Sequence, residues 1–149
     1  MIAQLPDSPE RIVEFGGGTG VFTRALIDHG LDRDQLMVVE LNGALHRMLK
    51  RRFPETRVVR GDARNVAALV AREKFAEAGG VDAVISGLGL LSMNRNVQRE
   101  ILAAAFNVLK PGGRFIQFTY GPVGPVPREL LGELDLNSRR ASVAWINVP

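Results

Sequence analysis

The chain has 149 residues, of which 46% are hydrophobic and 23% charged, and its net charge of +3 permits anionic partners without requiring them. It has no cysteine and only two histidines, which excludes disulfides, thiol nucleophiles and thiolate zinc sites. No apolar run approaches the length of a bilayer span and no signal-peptide pattern begins the chain, so we expect one cytoplasmic domain over residues 1–149.

Short β-branched segments alternate with amphipathic helical segments along the chain. Strands are predicted at residues 11–15, 36–40, 57–60, 81–86, 114–120 and 142–147. Helices are predicted at residues 21–28, 44–53, 66–77 and 94–109, and Lys110-Pro111-Gly112-Gly113 then turns the chain into the next strand. This alternation predicts an α/β fold, a doubly wound, mostly parallel, Rossmann-like sheet with helices on both faces.

A glycine-rich loop, Gly-Gly-Gly-Thr-Gly at residues 16–20, follows the first predicted strand. Glycines allow a sharp turn and a close approach of a ligand to the backbone. The amides at the start of the next helix, with Thr19 as a cap, would face that ligand. Val21 stands where the dinucleotide fingerprint needs its third glycine, which disfavours a nicotinamide dehydrogenase. A tight strand–helix turn without a ligand is the alternative, but it rarely needs so many glycines.

Acidic residues follow the next two predicted strands. Glu40 ends the second strand, where a carboxylate can accept hydrogen bonds from both ribose hydroxyls of an adenosine. Asp62 follows the third strand, and it can bind the exocyclic amine of adenine, cap the next helix, or do both. The fourth strand leads into a glycine- and serine-bearing loop at residues 86–92, at the point where a substrate would meet a cofactor.

In the order of its motifs the chain resembles the class I S-adenosylmethionine-dependent methyltransferases. The motifs are the glycine loop, Glu40, Gly61-Asp62-Ala63, residues 81–92 and residues 109–114. Within that superfamily, the chain resembles bacterial phospholipid N-methyltransferases at residues 86–93, 118–122 and 145–149. The cofactor-binding half of those enzymes is similar to that of ribosomal RNA adenine dimethyltransferases. The resemblance implies S-adenosylmethionine as cofactor, S-adenosylhomocysteine as product and no metal. It implies methylation of the primary amine of phosphatidylethanolamine towards phosphatidylcholine.

The resemblance also assigns a cofactor site. The glycine motif would cradle the methionine end, Glu40 would bind the ribose, Asp62 and Ala63 would line the adenine pocket, and residues 86–88 would lie beside the transferable methyl group. The predicted cofactor-binding residues are Glu14, Phe15, Gly16, Gly17, Gly18, Thr19, Gly20, Glu40, Leu41, Gly61, Asp62, Ala63, Ser86, Gly87 and Leu88.

The chain departs from the family pattern in several places. Gly17 replaces a proline often found in the first motif, a change that should spare binding, and Gly89 replaces a proline of the substrate loop. Members of the family also have an N-terminal helical segment that covers the site and a last strand beyond the position of Pro149. We therefore expect a shortened chain whose sheet lacks its last strand.

Tyr120, the only tyrosine, is the candidate catalytic residue because it follows the fifth predicted strand and could hold an ammonium over its ring or through its hydroxyl. Packing on the sheet is the alternative role. Methyl transfer needs a neutral amine, whereas an alkylammonium has a pKa of about 10.4 in solution, so the site must disfavour the proton. No role is assigned to His29 or His46.

The densest basic stretch contains Arg47, Lys50, Arg51, Arg52, Arg57, Arg60 and Arg64. It is either a surface for anionic lipid or nucleic-acid phosphate, or the solvated outer face of a helix. Seven Phe, one Trp and one Tyr provide no stacking platform for RNA, which disfavours that partner.

Three functions are compatible with the sequence. The first is phospholipid N-methylation at the inner face of the membrane, with peripheral contact to anionic lipid. The second is the same chemistry on RNA adenine or a protein side chain, and the third is a cofactor-binding module without catalysis.

Overall fold

A computed structural model describes residues 4–119 and 126–136, in which strands and helices alternate. The strands are β1 (Ile12–Phe15), β2 (Leu36–Glu40), β3 (Arg57–Arg60), β4 (Val81–Ser86) and β5 (Leu109–Gln117). The α-helices are α1 (Val21–Asp28), α2 (Gly43–Arg52), α3 (Val66–Arg72), α4 (Arg95–Val108) and α5 (Arg128–Glu133). None of the helices in these ranges is long and apolar enough to cross a bilayer.

The strands form one parallel sheet in the order β3-β2-β1-β4-β5. The chain winds outward from β1 to β3 and then returns to place β4 on the other side of β1. At this reversal Phe15 pairs with both Val39 and Ser86, so the loops after β1, β2 and β4 leave the sheet at the same edge. The predicted doubly wound α/β fold is confirmed.

Helices cover both faces of the sheet, as fully buried strands require. Side chains alternate along β1, so Ile12 faces one layer while Val13 and Phe15 face the other. On the Ile12 side the core is completed by Leu26 of α1 and by Leu49 of α2, with Phe53 just after it. On the opposite side α3 and α4 contribute Val66, Leu69, Val70, Ile101, Ala105 and Val108.

Three predicted boundaries are wrong by more than one residue. Helix α3 ends at Arg72 rather than at residue 77, because Lys74 adopts a φ of +50° that ends the helix. Phe75 nevertheless stays in the core, which explains why the helical pattern extends past the true end. Strand β5 starts at Leu109 and ends at Gln117, whereas residues 114–120 were predicted.

The predicted turn at residues 110–113 is a bulge within β5. Val81 pairs with Leu109 and Ala83 with Arg114, so the intervening residues of β5 loop out, with Gly112 at a φ of +78°. The predicted strand at residues 142–147 lies outside the described residues.

Candidate functional site

The glycine loop between β1 and α1 is pressed onto the core. Gly16, Gly18 and Gly20 have φ values of +71°, +54° and +83°, a region that other residues rarely adopt. A Cβ on Gly17 would lie 2.5 Å from Val38 Cγ1, so no larger residue fits there without a shift. A Cβ on Gly18 would approach only the Gly16 carbonyl oxygen, at 3.8 Å. The backbone at Gly18 is therefore the part of the loop that a ligand can approach.

No side chain caps helix α1, whose N-cap is Gly20, so the expectation that Thr19 would cap it is wrong. Thr19 is exposed, and its carbonyl oxygen accepts a hydrogen bond from Arg52 Nη1 at 2.8 Å. The Gly20 N-cap thus gives the first amides of α1 no side-chain acceptor.

The carboxylate of Glu40 ties this loop to the start of α2. Its Oε2 accepts a hydrogen bond from the Gly18 N–H at 2.9 Å, and its Oε1 accepts one from the Asn42 N–H at 2.8 Å. The Gly61 N–H donates to the Glu40 backbone carbonyl at 3.2 Å, which brings the end of β3 alongside. Each carboxylate oxygen has two lone pairs, so two acceptor positions remain for the hydroxyls of a ligand.

Glu14 is completely buried in β1, and its carboxyl group is only half satisfied. Thr23 Oγ1 donates to Oε2 at 2.7 Å, while Oε1 has no partner among the described residues. Burial, with a smaller contribution from the charge of Glu40, raises the pKa of Glu14 to about 7 against the lowering effect of the Thr23 hydrogen bonds. A buried carboxyl group with a free oxygen favours either a proton or a nearby cation, which fits the ammonium of a bound amino acid.

The loop after β4 contacts the glycine loop directly. The Gly87 N–H donates to the Phe15 carbonyl at 3.0 Å, and a Cβ on Gly16 would lie 2.6 Å from Leu88 Cδ2. Ser86 is fully buried and its Oγ accepts a hydrogen bond from the Leu88 N–H at 3.3 Å. The predicted methyl-side residues therefore lie beside the predicted methionine cradle.

Two glutamines that the sequence analysis did not single out hold this loop. Gln117 Nε2 donates to the Leu88 carbonyl at 2.8 Å, and Gln98 Nε2 donates to the Leu90 and Met93 carbonyls at 2.7 and 3.2 Å. Gln98 is buried on the inward side of α4. A glutamine within that otherwise apolar stripe was the signal that could have identified it.

Asp62 caps a 3₁₀ turn, Ala63–Asn65, that leads into α3, whereas the N-cap of α3 itself is Asn65. The Asp62 Oδ1 accepts a hydrogen bond from the Arg64 N–H at 2.9 Å, and the Arg64 guanidinium binds both carboxylate oxygens. These hydrogen bonds hold the pKa of Asp62 below its usual range. Arg64 would have to turn away before Asp62 could bind an adenine amine, so that role stays a prediction. Ala63 is buried against the α3 side of the core.

The remaining predicted residues differ in accessibility. Leu41, directly after Glu40, has 64% of its surface exposed, so its apolar side chain is available to a ligand. Phe15 is fully buried in the core, which leaves only its backbone to act at the site. Tyr120 lies outside the described residues, and so do residues 145–149. In the part of the chain that the structure describes, no group of three His, Asp or Glu side chains could hold a metal ion.

Residues 12–113 match the family model described as a methyltransferase domain. The chain is also similar to the ornithine lipid N-methyltransferase of Singulisphaera acidiphila, with 32% identity over 114 residues. That alignment covers 74% of this chain and 58% of the relative, so the chain spans less than two thirds of the relative's length.

Solved structures of S-adenosylmethionine-dependent methyltransferases share the fold. A TehB-like enzyme from Corynebacterium glutamicum superposes with a TM-score of 0.63 at 21% identity, covering 89% of this chain and 66% of that one. S-adenosylmethionine-bound CalS10, an amino pentose methyltransferase from Micromonospora echinaspora, gives a TM-score of 0.62 at 21% identity, covering 80% of this chain and 47% of that one. At these identities the similarity establishes the fold alone.

Proposed function

The chain belongs to the methyltransferase domain family that its residues 12–113 match, and on that basis we propose that it methylates the amine of a lipid head group with S-adenosylmethionine as donor. The observation that carries the choice of acceptor is the 32% identity to the ornithine lipid N-methyltransferase. Phosphatidylethanolamine is the acceptor that the sequence resemblance implies, and it shares a primary amine with ornithine lipid. Such an enzyme would work as a peripheral protein on the cytoplasmic face of the membrane.

We assign the cofactor to the edge of the sheet where β1, β2 and β4 end. The methionine end would lie on the glycine loop, with its ammonium toward the free oxygen of Glu14, since that oxygen has no partner among the described residues. The ribose would use the two acceptor positions left on Glu40. Leu41 and Ala63 would flank the adenine, and Ser86, Gly87 and Leu88 would lie on the methyl side.

Bound S-adenosylmethionine would supply an electrophilic methyl group for an in-line displacement by the amine nitrogen, with S-adenosylhomocysteine as the leaving group. The work left to the protein is to position the amine, to keep water out and to accept the proton that the amine loses. Gln98 and Gln117 support the positioning, because they fix the loop that follows Ser86 through its carbonyls. Tyr120 stays the proposed contact for the amine.

Methyl-labelled S-adenosylmethionine, offered with phosphatidylethanolamine or ornithine lipid in neutral detergent micelles, tests the proposal. We expect label in one or both lipids and none in matched phosphatidylcholine micelles, which lack a free amine. Label in RNA or protein but in neither lipid would overturn the acceptor. Cofactor binding without transfer to any of these acceptors would indicate a module without catalysis.

A further inference from the structure

The outward side of α2 carries cations without matching acids. No Asp or Glu occurs among the ten residues of α2, whereas Arg47, Lys50, Arg51 and Arg52 are all exposed. Within the described ranges none of these four side chains has a carboxylate at ion-pair distance, and neither has Arg60 at the end of β3. Together with Arg24 of α1, which reaches Asp28 only at 3.9 Å, these residues are called the basic face.

The backbone and core hold these cations close to one another. A Cβ on Gly43 would lie 3.2 Å from Arg60 Cζ and 3.5 Å from Arg47 Nη1, so two guanidinium groups meet over one glycine. Two more flank a single ring, with Arg24 Cζ and Arg52 Cζ at 5.3 and 5.6 Å from the centre of Phe53. Such groups repel one another unless an anion lies among them.

Several arginines elsewhere in the described residues are paired with acids. Arg64 pairs with Asp62 and Glu100, and both Arg95 and Arg99 pair with Glu133. Arg57, which belongs to the same basic stretch of sequence, instead contacts the Glu73 carbonyl and the Phe75 ring. Among the described residues, five of the ten cations that have no carboxylate at ion-pair distance therefore lie on α2 or at the end of β3.

The basic face borders the candidate site and two exposed apolar side chains. Arg52 donates to the Thr19 carbonyl in the glycine loop at 2.8 Å. Val21 at the start of α1 has 66% of its surface exposed, and Leu41 just before α2 has 64% exposed. Cations beside exposed aliphatic side chains are the combination by which peripheral proteins hold an anionic bilayer.

We propose that the basic face docks the protein onto a bilayer that contains anionic lipids, with Val21 entering the interfacial region. This inference rests on the proposed lipid acceptor. Six cations spread over two helices and a strand end match a plane of many phosphates better than a single small anion. The large hydrophobic side chains exposed at this face, among the described residues, are aliphatic, so bases of RNA would find no ring on which to stack.

Sedimentation of the full chain with vesicles tests the docking surface. One variant combines Arg47→Gln, Lys50→Gln and Arg51→Gln. Its control combines Arg33→Gln, Arg72→Gln and Lys74→Gln, which lowers the net charge equally but away from the basic face. We expect the wild type to bind phosphatidylcholine vesicles containing phosphatidylglycerol, and salt to weaken that binding. The basic-face variant should bind about a hundredfold more weakly, at about fivefold for each lost cation, and the control should bind within a few-fold of the wild type.

The proposal would be overturned if the basic-face variant bound these vesicles as tightly as the wild type does. It would also be overturned if the control variant lost as much vesicle affinity as the basic-face variant. Tighter binding of single-stranded RNA than of vesicles, lost in the same variant, would replace the bilayer with RNA. The micelle assay separates this inference from the proposed function. If the wild type methylates micellar lipid but does not bind anionic vesicles, the docking surface alone is refuted. If it binds vesicles through α2 but does not methylate lipid, the proposed function alone is refuted.

Discussion

The backbone N–H of Gly18 donates to Oε2 of Glu40 at 2.9 Å, which joins the loop after β1 to the end of β2. The two residues are distant in sequence, and they meet because β1 and β2 are neighbours in a parallel sheet. The contact gives Glu40 two roles in our account. It shapes the turn at Gly18, and it keeps acceptor positions free at the edge where we place the ribose.

The buried carboxyl group of Glu14 should make stability depend on pH. Its pKa is about 7 in the folded protein against 4.5 as the ordinary value, so the folded state binds this proton more tightly than the unfolded state. The stabilisation is complete below the unfolded pKa and is lost as pH rises through about 7, a loss of about 3 kcal/mol. Urea unfolding at about pH 5 and about pH 8 should show a decrease in the wild type that is absent in Glu14→Gln.

Asp62 and Glu133, whose pKa values are lowered, titrate below this window and should not mask the effect. Thr23→Val provides a second test of the Glu14 prediction. Because the hydrogen bond from the Thr23 hydroxyl lowers the pKa of Glu14, its loss should move the decrease to higher pH. An unchanged pH profile in both variants would contradict the prediction.

Adjacent glycines of the loop should respond differently to alanine. Gly17→Ala places a methyl group against Val38 and Leu49 and should lower the free energy of unfolding by about 1–3 kcal/mol. Gly18→Ala has open space, so it should lower stability only by the left-handed backbone cost of about 1–2 kcal/mol, while obstructing the ligand. Unfolding and cofactor titration of both variants check this. If the two variants lost cofactor affinity in the same proportion to their loss in free energy of unfolding, the assignment of Gly18 to the ligand side would be contradicted.

Gln98→Leu should separate catalysis from cofactor binding. The change leaves the Leu90 and Met93 carbonyls without their side-chain donor, at a cost of about 1–3 kcal/mol for a buried group. We expect the rate of methyl transfer to fall while the dissociation constant of the cofactor changes little, since the side-chain hydrogen bonds of Gln98 in the described residues go to the loop beyond Leu88. Arg128→Leu on α5 is an exposed control. A parallel loss of cofactor binding would show that the loop also supports the cofactor.

Most of the fold could be predicted because it depends on local pattern. The apolar run at residues 36–39 of β2 and the alternating strands and helices define a covered parallel sheet. The meeting of the glycine loop with Glu40 was predictable because strand order brings their loops to one edge. The end of α3 could not be predicted, because it depends on the positive φ of Lys74 and not on the apolar pattern around Phe75.

Side-chain partnerships were harder to predict than positions. The sequence gives no sign that Thr23 faces Glu14, since that contact requires the exact rotation of α1 over the sheet. The sequence also does not show that the guanidinium of Arg64 binds both oxygens of Asp62, because other acidic side chains could have been its partner instead.

Calorimetric titration of S-adenosylmethionine and S-adenosylhomocysteine into the wild type, Glu40→Ala and Glu55→Ala tests the cofactor site most directly. Glu55 is an exposed acid that pairs with Arg33 and serves as the matched control. Hydrogen bonds to a charged acceptor are each worth about 1.5–3 kcal/mol, so losing two should weaken binding at least a hundredfold in Glu40→Ala alone. Undiminished binding by a folded Glu40→Ala variant would contradict the account.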